Sequence, residues 1–190
     1  PADVIEESYR RIEAVDDPGI FLHLIDRNEA ITAVKALGSF DPLSKPLWGI
    51  PFAIKDNIDS AGAPTTAACA DFAFMADDDA FVVSLLRKAG AILIGKTNLD
   101  QFATGLVGVR SPYPIPRNAI DPEIVSGGSS SGSSVAVSHG IVSFALGTDT
   151  AGSGRVPAAL NNIVGLKPSL GALSNTGVVP ACRSLDTISI

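Results

Sequence analysis

The sequence predicts an α/β fold with a largely parallel sheet. Two observations carry this: short apolar runs alternate with helical stretches, and glycines and prolines punctuate the joins. A third fits them. Of the 190 residues 46% are hydrophobic and only 18% charged, which excludes a disordered chain and calls for a large core. The length suggests about one domain, and neither a linker nor a repeat of fixed period divides it.

Residues 3–15 place Val4, Ile5, Tyr9 and Ile12 at helical spacing among Glu and Arg. Residues 21–25 (FLHLI) form a short apolar strand, and Asn28 is read as the cap of a second helix ending at Gly38. The run GIPFAIKD at 49–56 reads as a strand that ends in charge. Residues 79–89 follow as a helix stopped by Gly90, then AILIGK at 91–96 as a buried strand. Residues 99–104 continue as a short helix. Four prolines in 111–122 require an extended loop. Beyond a Gly/Ser block, 133–139 is a helix and 141–146 a strand. Residues 157–161 are helical, with Pro157 near the first turn. Residues 163–166 make a last strand candidate. From Gly171 the pattern is loop-like and closes on SLDTISI, an alternating strand-like run.

Several function classes are excluded. Lys and Arg total 14 against 20 Asp and Glu, a net charge of −6 that argues against a nucleic-acid partner. No apolar run reaches the roughly 18 residues of a membrane helix, so no membrane partner is expected. The first residues, PADVIEESYRRIEAV, have no apolar stretch of a signal peptide. Without an initiator Met the chain reads as a piece of a longer one. Cys69 and Cys182 are lone thiols, which suit a reducing cytoplasm better than a disulfide scaffold or zinc site. There is no P-loop and no G-x-G-x-x-G. A Ser-His-Asp hydrolase would need G-x-S-x-G and a usable histidine. His23 is read as a core strand residue, and His139 sits at a helix carboxyl end where positive charge is stabilising. No metal site and no cofactor are expected.

Three segments are candidates for the chemistry: Ile54-Lys55-Asp56, the block SGGSSSGSS at 126–134, and GTDTAGSGRVP at 147–157. In α/β sheets sites gather at the carboxyl ends of strands. Lys55 ends one strand, Ser129 precedes a helix, and Ser153 follows another strand, so all three can share one sheet edge. Blander readings stand beside this. The Gly/Ser block can be a flexible loop, the glycines around Ser153 an ordinary turn, and Lys55 a surface lysine paired with Asp56. Strand alternation puts Lys55 on the face of Ala53, opposite Phe52 and Ile54, without deciding which face is more buried.

GIPFAIKDNID, GGSSSGSS and GTDTAGSGRVPAA, in that order, resemble the amidase signature family, over nearly the whole chain from about residue 46. Residues 111–133 and 146–190 are similar to its allophanate hydrolases, which also carry Ala at the position of Ala151. The resemblance implies the amidase-signature fold: a mixed, largely parallel β-sheet flanked by helices, here only part of the domain. Residues 1–45 would be a helical lead-in and 46–190 a catalytic core segment. It further implies Lys55 as catalytic lysine, Ser129 as bridging serine on a cis peptide bond, and Ser153 as acyl-forming nucleophile. The N–H groups of Thr150, Ala151, Gly152 and Ser153 would form the oxyanion hole, with Asp149 and Arg155 bracing the loop.

The physics suits those roles. A serine hydroxyl needs a base, and a lysine serves only if neutral near pH 7. A bridging hydroxyl can accept one proton and donate another. The implied activity is allophanate hydrolysis to ammonia and carbon dioxide in urea or cyanuric-acid breakdown. The substrate would be a small-molecule amide, the complete protein a cytoplasmic homodimer linked functionally to a urea carboxylase. Arg110, Arg117 and Arg183 are candidates for an anionic substrate, and nothing selects among them. Two rivals stand: another amidase of the family, such as the glutaminase-type amidotransferase subunit, and a binding module with a degenerate site.

Overall fold

A computed structural model describes residues 1–190. The chain opens with helix α1 (Ala2–Val15), which turns Ile5 and Tyr9 into the core and ends where Asp16 adopts a left-handed conformation. Strand β1 (Phe21–Leu24) follows, then α2 (Arg27–Ala36). The cap of α2 is Asp26, not Asn28: the Asp26 carboxylate accepts the N–H groups of Asn28 and Glu29. His23 is only half-buried, because β1 is an edge strand.

Strand β2 (Pro51–Lys55) is buried along its whole length. Ala53 faces a core cluster with Val135, Ala136 and Ile5, while Phe52 and Ile54 face a second with Val83 and Leu93. Both faces are covered, so the apolar run lacks polar alternation. A two-stranded hairpin, β3 (Pro64–Thr65) and β4 (Phe74–Met75), follows without a sequence signal. Helix α3 (Phe81–Lys88) ends at Gly90, whose φ of 92° and N–H bond to Arg87 O make a helix-closing turn. Strand β5 (Ile92–Thr97) is fully buried, and a Cβ on Gly95 would meet His23 O at 2.6 Å.

The short helix expected at 99–104 is a single 3₁₀ turn, Gln101–Ala103, with Phe102 and Ala103 left-handed. Its backbone donors go elsewhere: Gln101 N–H to Arg110 O and Phe102 N–H to Ala67 O. The proline-rich 111–122 stretch is an irregular loop, as expected. Helix α4 (Ser131–Ser138) begins two residues before the expected start. Its first serines are buried because Ser131, Ser133 and Ser134 hydroxyls donate to backbone carbonyls, so the block belongs to the core and the flexible-loop reading is corrected.

Strand β6 (Phe144–Thr148) lies three residues beyond the expected start at 141. Ile141 and Val142 are apolar for another reason. The Ile141 and Gly140 N–H groups close α4 on Ala136 O and Val137 O, and the Ile141 and Val142 side chains pack into the first cluster. Helix α5 (Arg155–Leu160) starts two residues before Pro157. Residues 163–166 form no strand; Val164 is 91% exposed, and only Leu166 exchanges backbone bonds with Ile190. Strand β7 (Ile188–Ser189) does form within SLDTISI.

The sheet order is β1-β5-β2-β6-β7. The central three strands are parallel, and both outer pairings are antiparallel. The sheet is thus mixed, with a parallel centre whose carboxyl ends carry Lys55, Thr97 and Thr148 together. No helix is long and apolar enough to cross a membrane.

Candidate active site

Lys55 is the last residue of β2 and has no exposed surface. Its Nζ donates to Ser129 Oγ at 2.7 Å and to Thr148 Oγ1 at 2.8 Å. It forms no pair with Asp56, whose carboxylate faces Lys96 Nζ at 3.4 Å. The surface-lysine reading is therefore corrected. Burial penalises the charged amine and brings its pKa down to about 7, against the opposing charges of Asp100, Asp149 and Asp186. A neutral amine has two N–H donors and one lone pair. With Thr148 taking one N–H, the lone pair can point to the Ser129 hydroxyl.

Ser129 is fully buried and follows a cis Gly128–Ser129 peptide bond. The backbone there is crowded. A Cβ on Gly128 would sit 2.2 Å from Asp100 Oδ2, and one on Gly127 2.8 Å from Pro157 Cα. Gly128 N–H donates to Leu106 O, Asp100 N–H to Ser129 O, and Ser130 N–H to Ser153 O. Backbone bonds thus tie the serine block to both the 105–110 loop and the Ser153 turn.

Ser153, 4% exposed, stands in the turn between β6 and α5. Its hydroxyl donates to Gly105 O at 3.5 Å, a long bond, and is not hydrogen-bonded to Ser129. Lys55 and Ser129 are therefore joined, and the Ser153 hydroxyl is turned aside. Gly152 has φ 130°, a conformation that other residues rarely adopt.

Asp149 shapes this turn. It is buried and accepts N–H bonds from Gly152, Gly154 and Arg155, with the Arg155 guanidinium and Lys167 ammonium beside it. Burial alone would raise its pKa; the Arg155 bonds and backbone donors outweigh burial and hold it well below the usual carboxylate range. The expected oxyanion set needs one correction. Gly152 N–H is committed to Asp149 Oδ1 at 2.7 Å, whereas the Thr150, Ala151 and Ser153 N–H groups donate to no protein acceptor.

The arginines separate. Arg117 is tied to the end of α1 through Val15 O, Asp16 O and Asp17. Arg110 donates to Thr104 O, and Arg183 is exposed. His139 caps the far end of α4, where burial lowers its pKa and disfavours the cation. Several site residues escaped the sequence reading. Thr148 and Asn57 flank Lys55, Asn57 donating to Thr148 Oγ1 at 3.4 Å and Val179 O at 2.9 Å. Asp186 accepts from the Thr150 hydroxyl and from the Ala181 and Cys182 N–H groups. The available signal was position: Thr148 precedes Asp149, and Asn57 follows the Lys-Asp pair.

The sequence profile of the Amidase family matches residues 3–190. A urea amidolyase of Saccharomyces cerevisiae is 66% identical over 145 residues, 76% of this chain and 8% of that protein. One chain of the glutamyl-tRNA(Gln) amidotransferase of Symbiobacterium thermophilum is 44% identical over 193 residues, covering 98% of this chain and 39% of that one. The structure of SeMet-substituted Kluyveromyces lactis allophanate hydrolase superposes with a TM-score of 0.87 at 49% identity, over 98% of this chain and 31% of that one. The chain spans well under half the length of each of these relatives.

Proposed function

Because the chain belongs to the amidase family, we propose that it forms part of an amide hydrolase working through an acyl-enzyme on Ser153, with allophanate as substrate. The observation that carries this reading is the buried Lys55, brought to a pKa of about 7 and 2.7 Å from Ser129 Oγ. In the proposed reaction the Ser153 hydroxyl leaves Gly105 O and donates to Ser129 Oγ as a substrate carbonyl arrives. Ser129 passes its own proton to the Lys55 lone pair while Ser153 Oγ attacks the carbonyl carbon. The N–H groups of Thr150, Ala151 and Ser153 receive the oxyanion, and losing one such donor costs roughly 3–4 kcal/mol in related chemistry. The proton returns through Ser129 to the departing amine, ammonia leaves, and water cleaves the Ser153 ester.

The preference for allophanate rests on the similarity to urea amidolyase and to a solved allophanate hydrolase. The same reading makes the complete protein a cytoplasmic homodimer with a functional link to a urea carboxylase. A second reading, a glutaminase-type amidotransferase component, is favoured by the 44% identity over almost the whole chain. Ammonia release by the full-length protein separates them. Release from allophanate without a tRNA partner supports the first, and release from glutamine alone or with its partner supports the second. Release from neither, with no labelling of Ser153 by a fluorophosphonate, would leave a binding module and overturn both.

A further inference from the structure

We infer that Asp100 is a positioning residue of this reaction: its buried carboxylate, without a basic partner, fastens the 105–110 loop over the Gly128–Ser129 bond and holds a negative charge toward Lys55. This deepens the proposed function and rests on Lys55 being the base. Asp100 follows β5 and has no exposed surface. Its Oδ2 accepts the Gly108 N–H at 3.0 Å and its Oδ1 the Arg110 N–H at 2.8 Å, the pattern of a carboxylate held by backbone donors. No Lys or Arg pairs with it; the Arg110 guanidinium turns to Thr104 O instead. The same residue donates its backbone N–H to Ser129 O at 3.1 Å.

The fit is tight on two sides. A Cβ on Gly128 would lie 2.2 Å from Asp100 Oδ2, and one on Gly105 2.5 Å from the same oxygen. Both glycines thus exist where this carboxylate packs, and Gly105 O is the acceptor of the Ser153 hydroxyl. One carboxylate therefore touches the segment that carries Ser129 and the loop that holds the nucleophile.

The charge has a second consequence. Three carboxylates act on Lys55: Asp100, whose N–H is bonded to the O of Ser129, the residue whose hydroxyl Lys55 Nζ meets; Asp149, next to the other Nζ acceptor, Thr148; and Asp186 before β7. Asp56 is paired with Lys96. Asp149 is matched by Arg155 and Lys167. Asp186 holds only neutral donors, in the loop beyond Thr150. Asp100 acts most strongly of the three on the lysine, favouring its protonated form. An amine that must both lose and regain a proton is thereby kept near neutrality, and burial alone would push it lower.

The test is the pH profile of kcat/KM for ammonia release by the full-length protein, wild type against Asp100→Asn and Asp100→Glu. Asp100→Asn removes the charge and sets an N–H against a backbone N–H. Its acid limb should move to lower pH by about half a unit or more, and its alkaline plateau should fall about tenfold or more. Asp100→Glu keeps the charge, so its plateau should fall while its limb stays in place. If the Asn variant does not fold, Asp100→Ser carries the same expectation. An unmoved limb in the neutral variant, beside a dead Lys55→Ala enzyme, overturns the role of Asp100 alone. Turnover near wild type in Lys55→Ala overturns this inference together with the base it rests on.

Discussion

Replacing Lys55 by Met should stabilise the protein at pH 6, and the gain should shrink as pH rises. The folded-state pKa is about 7 against a reference of 10.5. Between those values the unfolded chain binds the extra proton, so this lysine's contribution to stability rises with pH. Its penalty is complete below pH 7, declines from pH 7 to 10.5, and is absent above. A gap of about 3.5 units corresponds to about 5 kcal/mol at 1.36 kcal/mol per unit. Methionine fills the volume but leaves the Ser129 hydroxyl without its Nζ partner, a loss of about 1–3 kcal/mol, while Thr148 Oγ1 keeps the Asn57 donor. The net gain at pH 6 is thus about 2–4 kcal/mol, turning into a loss near pH 10. Urea denaturation of both proteins at pH 6, 8 and 10 measures it. A Met variant no more stable than wild type at pH 6, or one whose advantage grows with pH, would refute the buried, easily neutralised amine.

Lys55→Arg should abolish ammonia release as fully as Lys55→Ala at every pH, because arginine does not deprotonate in proteins; steady-state assays from pH 6 to 10 check it. Thr148→Val removes the acceptor that orients the Lys55 amine. It should lower kcat/KM by about 10- to 100-fold, with KM the less affected. Asp149→Asn leaves Arg155 and Lys167 without a matching charge and weakens three N–H bonds of the turn. The cations left behind reach solvent, Arg155 being half exposed, so denaturation should show a loss of about 1–3 kcal/mol from the weakened N–H bonds of the turn, and fluorophosphonate labelling of Ser153 should slow.

Most of the parallel centre was legible because β2 and β5 are unbroken apolar runs, a pattern that needs cover on both faces. The α3 and α4 stops were legible in Gly90 and Gly140, which closing turns require. What failed had non-local causes. Ile141 and Val142 look like strand residues, yet their apolarity serves the packed end of α4. The 99–104 stretch has helical composition, but its donors are claimed by Ala67 O and Arg110 O. At the site, the residues on strand ends and glycine turns could be picked out. Their bonding partners could not: Asp100, Thr148 and Asp186 meet Lys55 or its loops only through tertiary packing. Likewise no local signal says that Asp149 claims the Gly152 N–H.

The central claim is a covalent intermediate on Ser153, and its most direct measurement is the mass of the trapped enzyme. The full-length protein is mixed with a slowly hydrolysed amide or ester substrate, quenched in acid and peptide-mapped. The account predicts one acyl group, on Ser153, in the wild type, and none in Ser153→Ala, whose turnover is lost. An acyl group on Ser129 or elsewhere, or Ser153→Ala activity within about tenfold of wild type, equivalent to only about 1.4 kcal/mol, would contradict it.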